Sequence, residues 1–408
     1  MTSQYESRRG PIFFCYAAPV GFSGQKEATE LIVRGLAARG WNCRCLPQPV
    51  LERGRGGLGE RVRFGFGLLA AWLRSLRMLA APGGSLCLNL GQTRFAFLRD
   101  GVPLVVGRLA FGRSRTIISL HGSLFMGWRD GSWDARLLRG LLRLAGTVTV
   151  LGEQQRSRLV AQGLDSAQVK VVVNSCTLPP ISSDELDQKR DSLTTGKRPV
   201  RLLHLSSLIA TKGFPEYLEA LNLLGGQKGL RIEATLCGRP TASEFQDRFR
   251  DETAAAAWIE GAVAAINHSA RVRVRWVRGA AGQEKAALFR AADVFVLPTR
   301  YAVEAQPIVL LEAMASGCAI VTTSVGEIAT ILDEASAVIL RDGATDELGA
   351  TLAWLLAEPR TIGRLAGAAH QRFVERYGLA QHLDGWEDRL NPDRVASIPT
   401  SGLAATEP

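Results

Sequence analysis

The sequence contains no run of about 18 uncharged apolar residues, the length that a helix needs to cross a bilayer. Its first ten residues are polar and lead directly into a strand-like run, which does not resemble a secretory signal. These two absences exclude a helical integral membrane protein and predict a cytoplasmic location.

Cysteine is sparse, and its seven positions follow no spacing that would form a disulfide framework. Cys43 and Cys45 lie one residue apart, but no second Cys or His pair is near enough in sequence to complete a zinc site. An Asp-x-Asp pair that would hold a divalent ion is also missing. We therefore expect a reducing compartment, no metal and no bound cofactor.

Charge is distributed unevenly along the 408 residues. Residues 1–180 contain 24 Lys and Arg against 10 Asp and Glu, a net charge of +14, whereas the remaining residues carry −4. The basic first half indicates either an anionic partner or only a soluble surface. No platform of aromatic and basic residues accompanies this charge, so a nucleic-acid partner is not expected.

Length and pattern together predict two domains. A chain with 46% hydrophobic residues and this length exceeds one ordinary core and fits two domains of roughly 150–200 residues. Strand-like runs alternate with helical stretches, which indicates parallel sheets covered by helices on both faces. The predicted strands are 11–18, 41–46, 85–90, 115–120, 148–151 and 169–173, then 200–205, 231–237, 272–276, 294–297, 319–322 and 338–340.

We predict an α/β protein with Rossmann-like, doubly wound domains at residues 1–180 and 198–375. The polar stretch 181–197 is interpreted as their connection, because it shows no periodic apolar face. Residues 376–392 are expected to form a terminal helix and residues 393–408 a disordered tail. Ligands of open α/β sheets bind outside the carboxyl ends of the strands, so a shared ligand is expected in the cleft between the domains.

The segment 293–326 is the most informative part of the sequence. A strand ends near Pro298, a loop follows, and a helix is predicted from Pro307, because proline suits the first helical position. The free amides at such a helix start can bind a phosphate group. Glu304 in the loop and Glu312 on the helix can accept hydrogen bonds from sugar and ribose hydroxyls. The alternative is two ordinary solvated acids, although Glu312 lies in an apolar run where an unpartnered charge is costly.

This segment resembles the retaining nucleotide-sugar glycosyltransferases of the GT-B fold, in the class called glycosyltransferase family 4 or glycosyl transferases group 1. The resemblance depends on the E-x7-E spacing of Glu304 and Glu312, on Ala-Met-Ala-Ser-Gly at 313–317 and on Val-Gly-Glu-Ile at 325–328. It extends along nearly the whole chain and is strongest over residues 200–340. It implies that Glu304 contacts the donor sugar and that Glu312 binds the nucleotide ribose.

A second part of the resemblance concerns the donor diphosphate. Residues 202–214 look like the strand, loop and helix of the family that carry an arginine and, five positions later, a lysine. Lys212 matches the lysine, which would neutralise the diphosphate; an unpaired surface lysine is the alternative. The arginine position falls on Ser207, so one phosphate contact is missing or supplied elsewhere. Gly238 resembles the glycine turn at the nucleotide base.

The remaining predicted site residues come from loops that follow strands. Gly24 ends the glycine turn 21–24 and is the position where backbone amides would approach the diphosphate. His121, followed by Gly and Ser, resembles the His-Gly of the family at the donor sugar; a structural histidine is the alternative. At the start of the helix, the donor is expected to contact Gln306, Pro307 and Ile308.

The resemblance implies transfer of a sugar from a nucleotide-sugar donor, its co-substrate, with retention of configuration and without a metal. No Asp/Glu pair stands out for double displacement. The resemblance also implies the family's front-face displacement, in which the leaving phosphate helps to deprotonate the acceptor, with His121, Lys212 and Glu304 as catalytic residues. The resemblance also implies that a helix near residues 372–390, which includes Trp386, crosses back onto the first domain.

Residues 61–80 combine four arginines with a broad apolar face. An interfacial helix has this composition and would attract anionic lipid head groups at the inner face of the plasma membrane. The acceptor would then be a lipid-linked saccharide or a cell-surface polysaccharide intermediate. The alternative is a core helix of the first domain, in which Gly65 and Gly67 weaken the helix.

Other functions stay open at this point. A sugar-nucleotide epimerase or a phosphorylase of the same fold would use a similar cleft, and the epimerase would need no acceptor. Ser207 also leaves room for a catalytically silent partner that binds a sugar nucleotide or a lipid.

Overall fold

The protein contains two six-stranded sheets in which every strand pairing is parallel. The first sheet has the order β2-β1-β3-β4-β5-β6 and the second the order β12-β11-β10-β7-β8-β9. The strands of the first sheet are β1 Ile12–Ala17, β2 Cys43–Gln48, β3 Ser85–Asn89, β4 Thr116–Ser119, β5 Thr147–Val150 and β6 Val169–Val171. Those of the second are β7 Val200–Leu205, β8 Ile232–Cys237, β9 Val272–Val277, β10 Val294–Leu297, β11 Ala319–Thr323 and β12 Val338–Leu340.

Helices surround both sheets in this computed structural model, and the apolar strands are buried between them. In β10, for example, all four residues are buried, because a strand covered on both faces has no polar side. The helices are α1 Gly24–Ala38, α2 Leu58–Ser75, α3 Arg94–Phe111, α4 Trp133–Leu142, α5 Glu153–Ala161, α6 Ser183–Thr194, α7 Phe214–Leu224, α8 Glu252–Ile266, α9 Gly282–Ala291, α10 Ile308–Ala315, α11 Ile328–Ile331, α12 Thr345–Ala357, α13 Pro359–Arg376 and α14 Leu379–Leu390. The structure describes residues 10–19, 23–50, 57–196, 198–227, 231–243, 245 and 248–391.

The prediction of two doubly wound parallel sheets is confirmed. Each predicted strand is present, with ends that shift by a few residues. The expected disordered tail, 393–408, lies outside the described residues. None of the helices in the described ranges is long and apolar enough to cross a membrane.

Residues 181–197 lie between the two sheets, as expected, but most of this stretch is the helix α6, which the sequence pattern did not indicate. A capping box begins it: the Ser182 hydroxyl accepts from the Glu185 amide, and the Glu185 carboxylate accepts from the Ser182 amide. Leu186 and Leu193 are buried, and the Arg190 guanidinium donates to the Gly363 carbonyl of α13 at 3.1 Å. Two buried leucines in a polar sequence are too few to show as a periodic apolar face.

The terminal helix α14 packs on the first domain. Trp386 is buried in a cluster with β1 and α1 residues such as Phe14 and Leu36. Polar contacts surround this cluster: the Trp41 indole donates to Glu387 at 2.6 Å, and the Arg39 guanidinium pairs with Glu387 at 2.9 Å. Because α14 follows α13, which packs on β11 of the second sheet, this apolar cluster attaches the end of the second domain to the first.

His382 of α14 adds a titratable contact to this junction. Its Nδ1 lies 2.6 Å from the Val173 carbonyl, to which the neutral ring donates. Burial lowers the pKa of His382 from 6.5 to about 4, although the hydrogen bond opposes the change. The native state therefore holds this ring neutral at pH values where the unfolded chain would protonate it.

We expect the free energy of unfolding to fall as the pH decreases from 6.5 to 4, because only the unfolded state gains a proton at His382 in this window. His382→Gln keeps an N–H donor for Val173 but does not titrate, so its decline should be shallower. Urea denaturation at a series of pH values measures both slopes. Equal slopes for the two proteins would contradict the prediction.

Candidate active site

The carboxyl ends of the two sheets face each other, and loops from both sheets meet between them. The Ser123 amide, after β4, donates to the Val303 carbonyl of the loop after β10 at 3.4 Å. The Gln155 amide of α5 donates to the Glu327 carboxylate at 2.6 Å. These contacts place the cleft where a ligand shared by two α/β sheets is expected.

Lys212 and Glu304 form an ion pair in this cleft. The Lys212 ammonium lies 2.9 Å from Glu304 Oε2 and 4.9 Å from the centre of the Tyr301 ring. Less than a fifth of either charged side chain is exposed, at 18% and 11%. The structure thus brings together the two residues to which the sequence assigned the diphosphate and the donor sugar.

Two glycines hold the loops that carry this pair. Gly213, next to Lys212, has φ +87°, and a Cβ there would lie 2.4 Å from the Pro298 carbonyl oxygen. Gly326 has φ +60°, and its Cβ would lie 2.2 Å from the Glu304 carbonyl oxygen. Both positions need glycine for conformation and for space. The loops that carry the ion pair therefore pack so closely that neither glycine can be replaced by a residue with a side chain.

Glu312 is fully buried on α10 and pairs with Lys285 of α9 at 2.6 Å. The same ammonium lies 3.4 Å from Glu27 of α1, so the group joins the two domains. Burial raises the pKa of Glu312 to about 7, although the Lys285 charge opposes this. Burial would lower the pKa of Lys285, but the two carboxylates raise it above its usual value.

The pairing of Glu312 has a consequence for ligands. Lys285 holds Oε1, whereas Oε2 is buried and has no hydrogen-bond partner among the described residues. A buried carboxylate oxygen without a donor is costly, so this atom is available for a ligand hydroxyl. The sequence indicated that Glu312 needs a partner but gave no sign that Lys285 is that partner.

His121 follows β4 at the carboxyl end of the first sheet, and the residue as a whole is half-buried. Its Nε2 is buried and finds no hydrogen-bond partner within the described ranges. Burial, assisted by nearby His382, lowers the pKa of His121 to about 4, so the ring is neutral at physiological pH. A neutral ring with a free nitrogen is suited to a hydrogen bond with a ligand hydroxyl and not to an ion pair.

The predicted glycines and Ser207 follow strands at the cleft edge. Gly238 has φ +145°, and a Cβ there would lie 2.0 Å from the Ser206 carbonyl oxygen. Gly24 begins α1, and a Cβ at this position would meet no atom within 4 Å. The rest of the predicted turn, residues 20–22, lies outside the described residues. Ser207 is partly exposed after β7 and brings no positive charge to the site.

The start of α10 differs in detail from the prediction. Pro307 is the N-cap, and Ile308 is the first helical residue, where proline had been expected. No side chain caps this end, so its amides are free to bind an anion. The Gln306 side chain donates to the Leu151 carbonyl at 3.4 Å and accepts from the Asn174 amide. Gln306 therefore holds loops of both sheets together.

Glu327, which the sequence pattern contained without a role, makes a buried contact between the two domains. Its carboxylate is buried and accepts a hydrogen bond from the Gln155 amide at the start of α5. The N-cap residue of α5, Gly152, has no side chain that could accept this hydrogen bond. Burial raises the pKa of Glu327. A residue of the second domain thus caps a helix of the first, which favours the closed cleft.

Within the described part of the chain, no group of three or more His, Cys, Asp or Glu side chains could hold a metal ion. All seven cysteines are unpaired.

We expect Gly152→Ala and Glu327→Ala to lower the free energy of unfolding by about 1–2 kcal/mol, the usual cost of a lost helix cap. A Cβ on residue 152 would lie 2.0 Å from Glu327 Oε2 and would displace the carboxylate. Both variants should also increase the radius of gyration in small-angle X-ray scattering, because the cleft opens. Gly140→Ala is the matched control, since a Cβ there meets no atom within 4 Å. Wild-type stability and size in both cap variants would refute the interdomain cap.

Comparison with known proteins supports this architecture. No curated protein sequence matches the chain. The crystal structure of Anabaena Alr3699/HepE in complex with UDP-glucose is 16% identical, with a TM-score of 0.62 over 96% of this chain and 100% of that one. Sucrose-phosphate synthase from Thermosynechococcus elongatus is 17% identical, with a TM-score of 0.68 over 95% and 100%. A glycosyltransferase from Rickettsia africae is 11% identical, with a TM-score of 0.65 over 94% and 98%.

The structural likeness shows the GT-B fold, with two Rossmann-like domains that face a cleft. Residues 199–358 match the family model described as glycosyl transferases group 1. The chain therefore carries a glycosyl transferases group 1 domain as the second half of a GT-B fold.

Proposed function

We propose that this protein is a glycosyltransferase that moves a sugar from a nucleotide-sugar donor to a saccharide or lipid-linked acceptor. The observation that carries the proposal is the Lys212–Glu304 ion pair, 2.9 Å long, in the cleft beside a glycosyl transferases group 1 domain. The likeness to a protein solved with UDP-glucose makes UDP-sugars the first donors to test.

Lys212 and the start of α10 form the proposed diphosphate site. The diphosphate offers more negative charge than one carboxylate, so it would take the Lys212 ammonium from Glu304. The uncapped amides of Ile308 and Val309 would add hydrogen bonds to the same anion. Glu304, released from Lys212, then accepts hydrogen bonds from hydroxyls of the donor sugar. Without a donor, the ion pair keeps both of these largely buried charges neutralised.

Glu312 is the proposed ribose acceptor. Lys285 holds its Oε1, and a ribose hydroxyl would donate to the unpartnered Oε2. Because Glu312 is fully buried and Lys285 also contacts Glu27 of the first domain, the donor would enter an opened cleft. Closure on the donor then excludes water from the reacting atoms.

The proposed reaction is a retaining, metal-independent displacement on one face of the sugar. The bond between the anomeric carbon and the diphosphate oxygen breaks, and the acceptor oxygen forms its bond to the same carbon. The acceptor proton passes to the leaving diphosphate, whose negative charge Lys212 and the α10 amides stabilise. Neutral His121 orients the sugar through a hydrogen bond.

We expect Glu312→Ala to weaken the binding of one nucleotide-sugar at least tenfold, because a hydrogen bond to a charged group is lost. Calorimetric titration with UDP-, GDP- and ADP-sugars measures the affinity and identifies the base. Lys170→Met, on the edge strand β6, is the control and should bind as wild type does. Binding by the Glu312→Ala variant at wild-type affinity would remove Glu312 from the donor site.

Two variants of the ion pair should separate the diphosphate from the sugar. Lys212→Met should weaken binding of the free nucleoside diphosphate at least tenfold, because its cation is gone. Glu304→Gln should leave that affinity unchanged or raise it, since Lys212 no longer has a competing carboxylate. Wild-type protein should bind the nucleotide-sugar more tightly than the nucleoside diphosphate, because Glu304 contacts the sugar. In Glu304→Gln this difference in affinity should disappear. Equal losses for both ligands in Glu304→Gln would contradict the assignment of Glu304 to the sugar.

A catalytically silent sugar-nucleotide- or lipid-binding partner is the second candidate. Two observations favour it: Ser207 brings no cation to the diphosphate site, and Lys285 already occupies one oxygen of Glu312. Folded wild-type protein that binds none of the three classes of nucleotide-sugar would support the lipid-binding form of this candidate over the enzyme, whereas binding without sugar transfer to any acceptor would support the sugar-nucleotide-binding form.

A further inference from the structure

The helix α2 has an apolar stripe on its outer side. The stripe residues follow one another at intervals of three or four, so they share one face of the helix and its short 3-10 continuation, Leu76–Ala80. Leu68 and Ala71 lie on the opposite face and are buried against the first domain. The exposed residues are Leu58 at 80%, Val62 at 50%, Phe66 at 69%, Leu69 at 51%, Leu73 at 58%, Leu76 at 46% and Leu79 at 57%.

The neighbouring helix α3 continues this surface. Its exposed apolar residues are also spaced by helical turns, and the rings of Phe64 and Phe95 join the two helices at 5.4 Å. Trp133, at the start of the adjacent α4, is 78% exposed. We call the α2 stripe, the α3 residues and Trp133 the apolar face. Its α3 members are Phe95, Leu98, Val105 and Leu109.

The charge on α2 and its 3-10 continuation is almost entirely positive, whereas beside Trp133 the Arg94 guanidinium is paired with Asp134 at 2.7 Å. Four exposed arginines flank the stripe, Arg61, Arg63 and Arg74 on α2 and Arg77 on the 3-10 continuation, whereas Glu60 is the one acid in the sequence of α2. The first 180 residues as a whole carry +14. A partner that complements this face must therefore offer apolar volume bordered by negative charge.

The chemistry favours a membrane over a second copy of the chain. In a two-fold dimer through this face, the same arginines of both copies would be brought together, which opposes association. An anionic bilayer supplies acyl chains for the leucines and phenylalanines and head-group phosphates for the arginines at its border. Surfaces of this extent and composition seldom stay solvated on a monomer.

We propose that the apolar face of the first domain docks onto an anionic lipid bilayer, with α2 and α3 lying in the interface. The inference depends on the surface of the first domain and not on the donor chemistry, so it holds for either candidate function. If the proposed transferase function is correct, docking brings the cleft to an acceptor that is held in the membrane.

Cosedimentation of the full chain with vesicles tests the proposal. Wild-type protein should bind phosphatidylcholine vesicles that contain phosphatidylglycerol at least tenfold more tightly than phosphatidylcholine alone, and salt should weaken the binding. Arg74→Gln with Arg77→Gln should weaken it about fivefold for each arginine. Leu69→Gln with Leu73→Gln should weaken it at least tenfold, because apolar area no longer enters the bilayer.

A matched control uses exposed apolar residues of the second domain. Leu223→Gln with Trp354→Gln, at positions 52% and 50% exposed, should bind vesicles as the wild type does. Nucleotide-sugar titration and circular dichroism of all variants establish that the fold is retained. Equal loss of binding in the control, or no preference for anionic vesicles, would overturn the proposal. So would a wild-type oligomer that Leu69→Gln with Leu73→Gln converts to monomers, because the face would then join copies of the chain.

Discussion

The buried carboxylate of Glu312 is the constraint on which the arrangement of the cleft depends. A charge with no exposure inside an apolar helix requires a counter-charge, and Lys285 at 2.6 Å supplies it. The same lysine must lie within reach of Glu27, which belongs to the other domain. Burial removes the Glu312 carboxylate from water, and the ion pair with Lys285 replaces that solvation. Because Lys285 also contacts Glu27, the same group links both domains. The position of the Glu312 carboxylate and the contact between the two domains therefore depend on the same lysine.

The other contacts between the domains follow the same principle. Glu327 caps α5, and Gln306 binds loops of both sheets; each satisfies a polar group that the closed cleft would otherwise bury without a partner. The apolar cluster around Trp386 is different. It is formed by the terminal helix against the first domain, and its contacts need not break when the cleft opens. A cleft that closes and opens needs two kinds of contact. Apolar contacts keep the domains attached, and polar contacts can be replaced by water when the cleft opens.

The sequence predicted the fold well because parallel strands that are buried on both faces leave a strong local signal. Glu304 and Lys212 were also identified in advance, and the structure places them 2.9 Å apart. Lys285 and Glu327 were not assigned roles, since their partners lie on other elements and no local pattern encodes such pairs. The helix α6 was missed for a local reason: its capping box was present in the sequence, but only Leu186 and Leu193 bury its face.

The helix α2 shows a limit of another kind. From residues 61–80, an interfacial helix and a core helix were alternatives, each with an apolar face to explain. The structure shows an apolar face on each side of α2, because Leu68 and Ala71 pack inward while Phe66 and Leu73 point outward. Hydrophobic periodicity in a sequence reveals how wide the apolar part of a helix surface is. A helix with two separate apolar stripes therefore gives the same signal as a helix with one broad stripe. The arginines at the edges distinguish the cases: a core-facing stripe does not need them on both sides, whereas a surface that meets anionic head groups does.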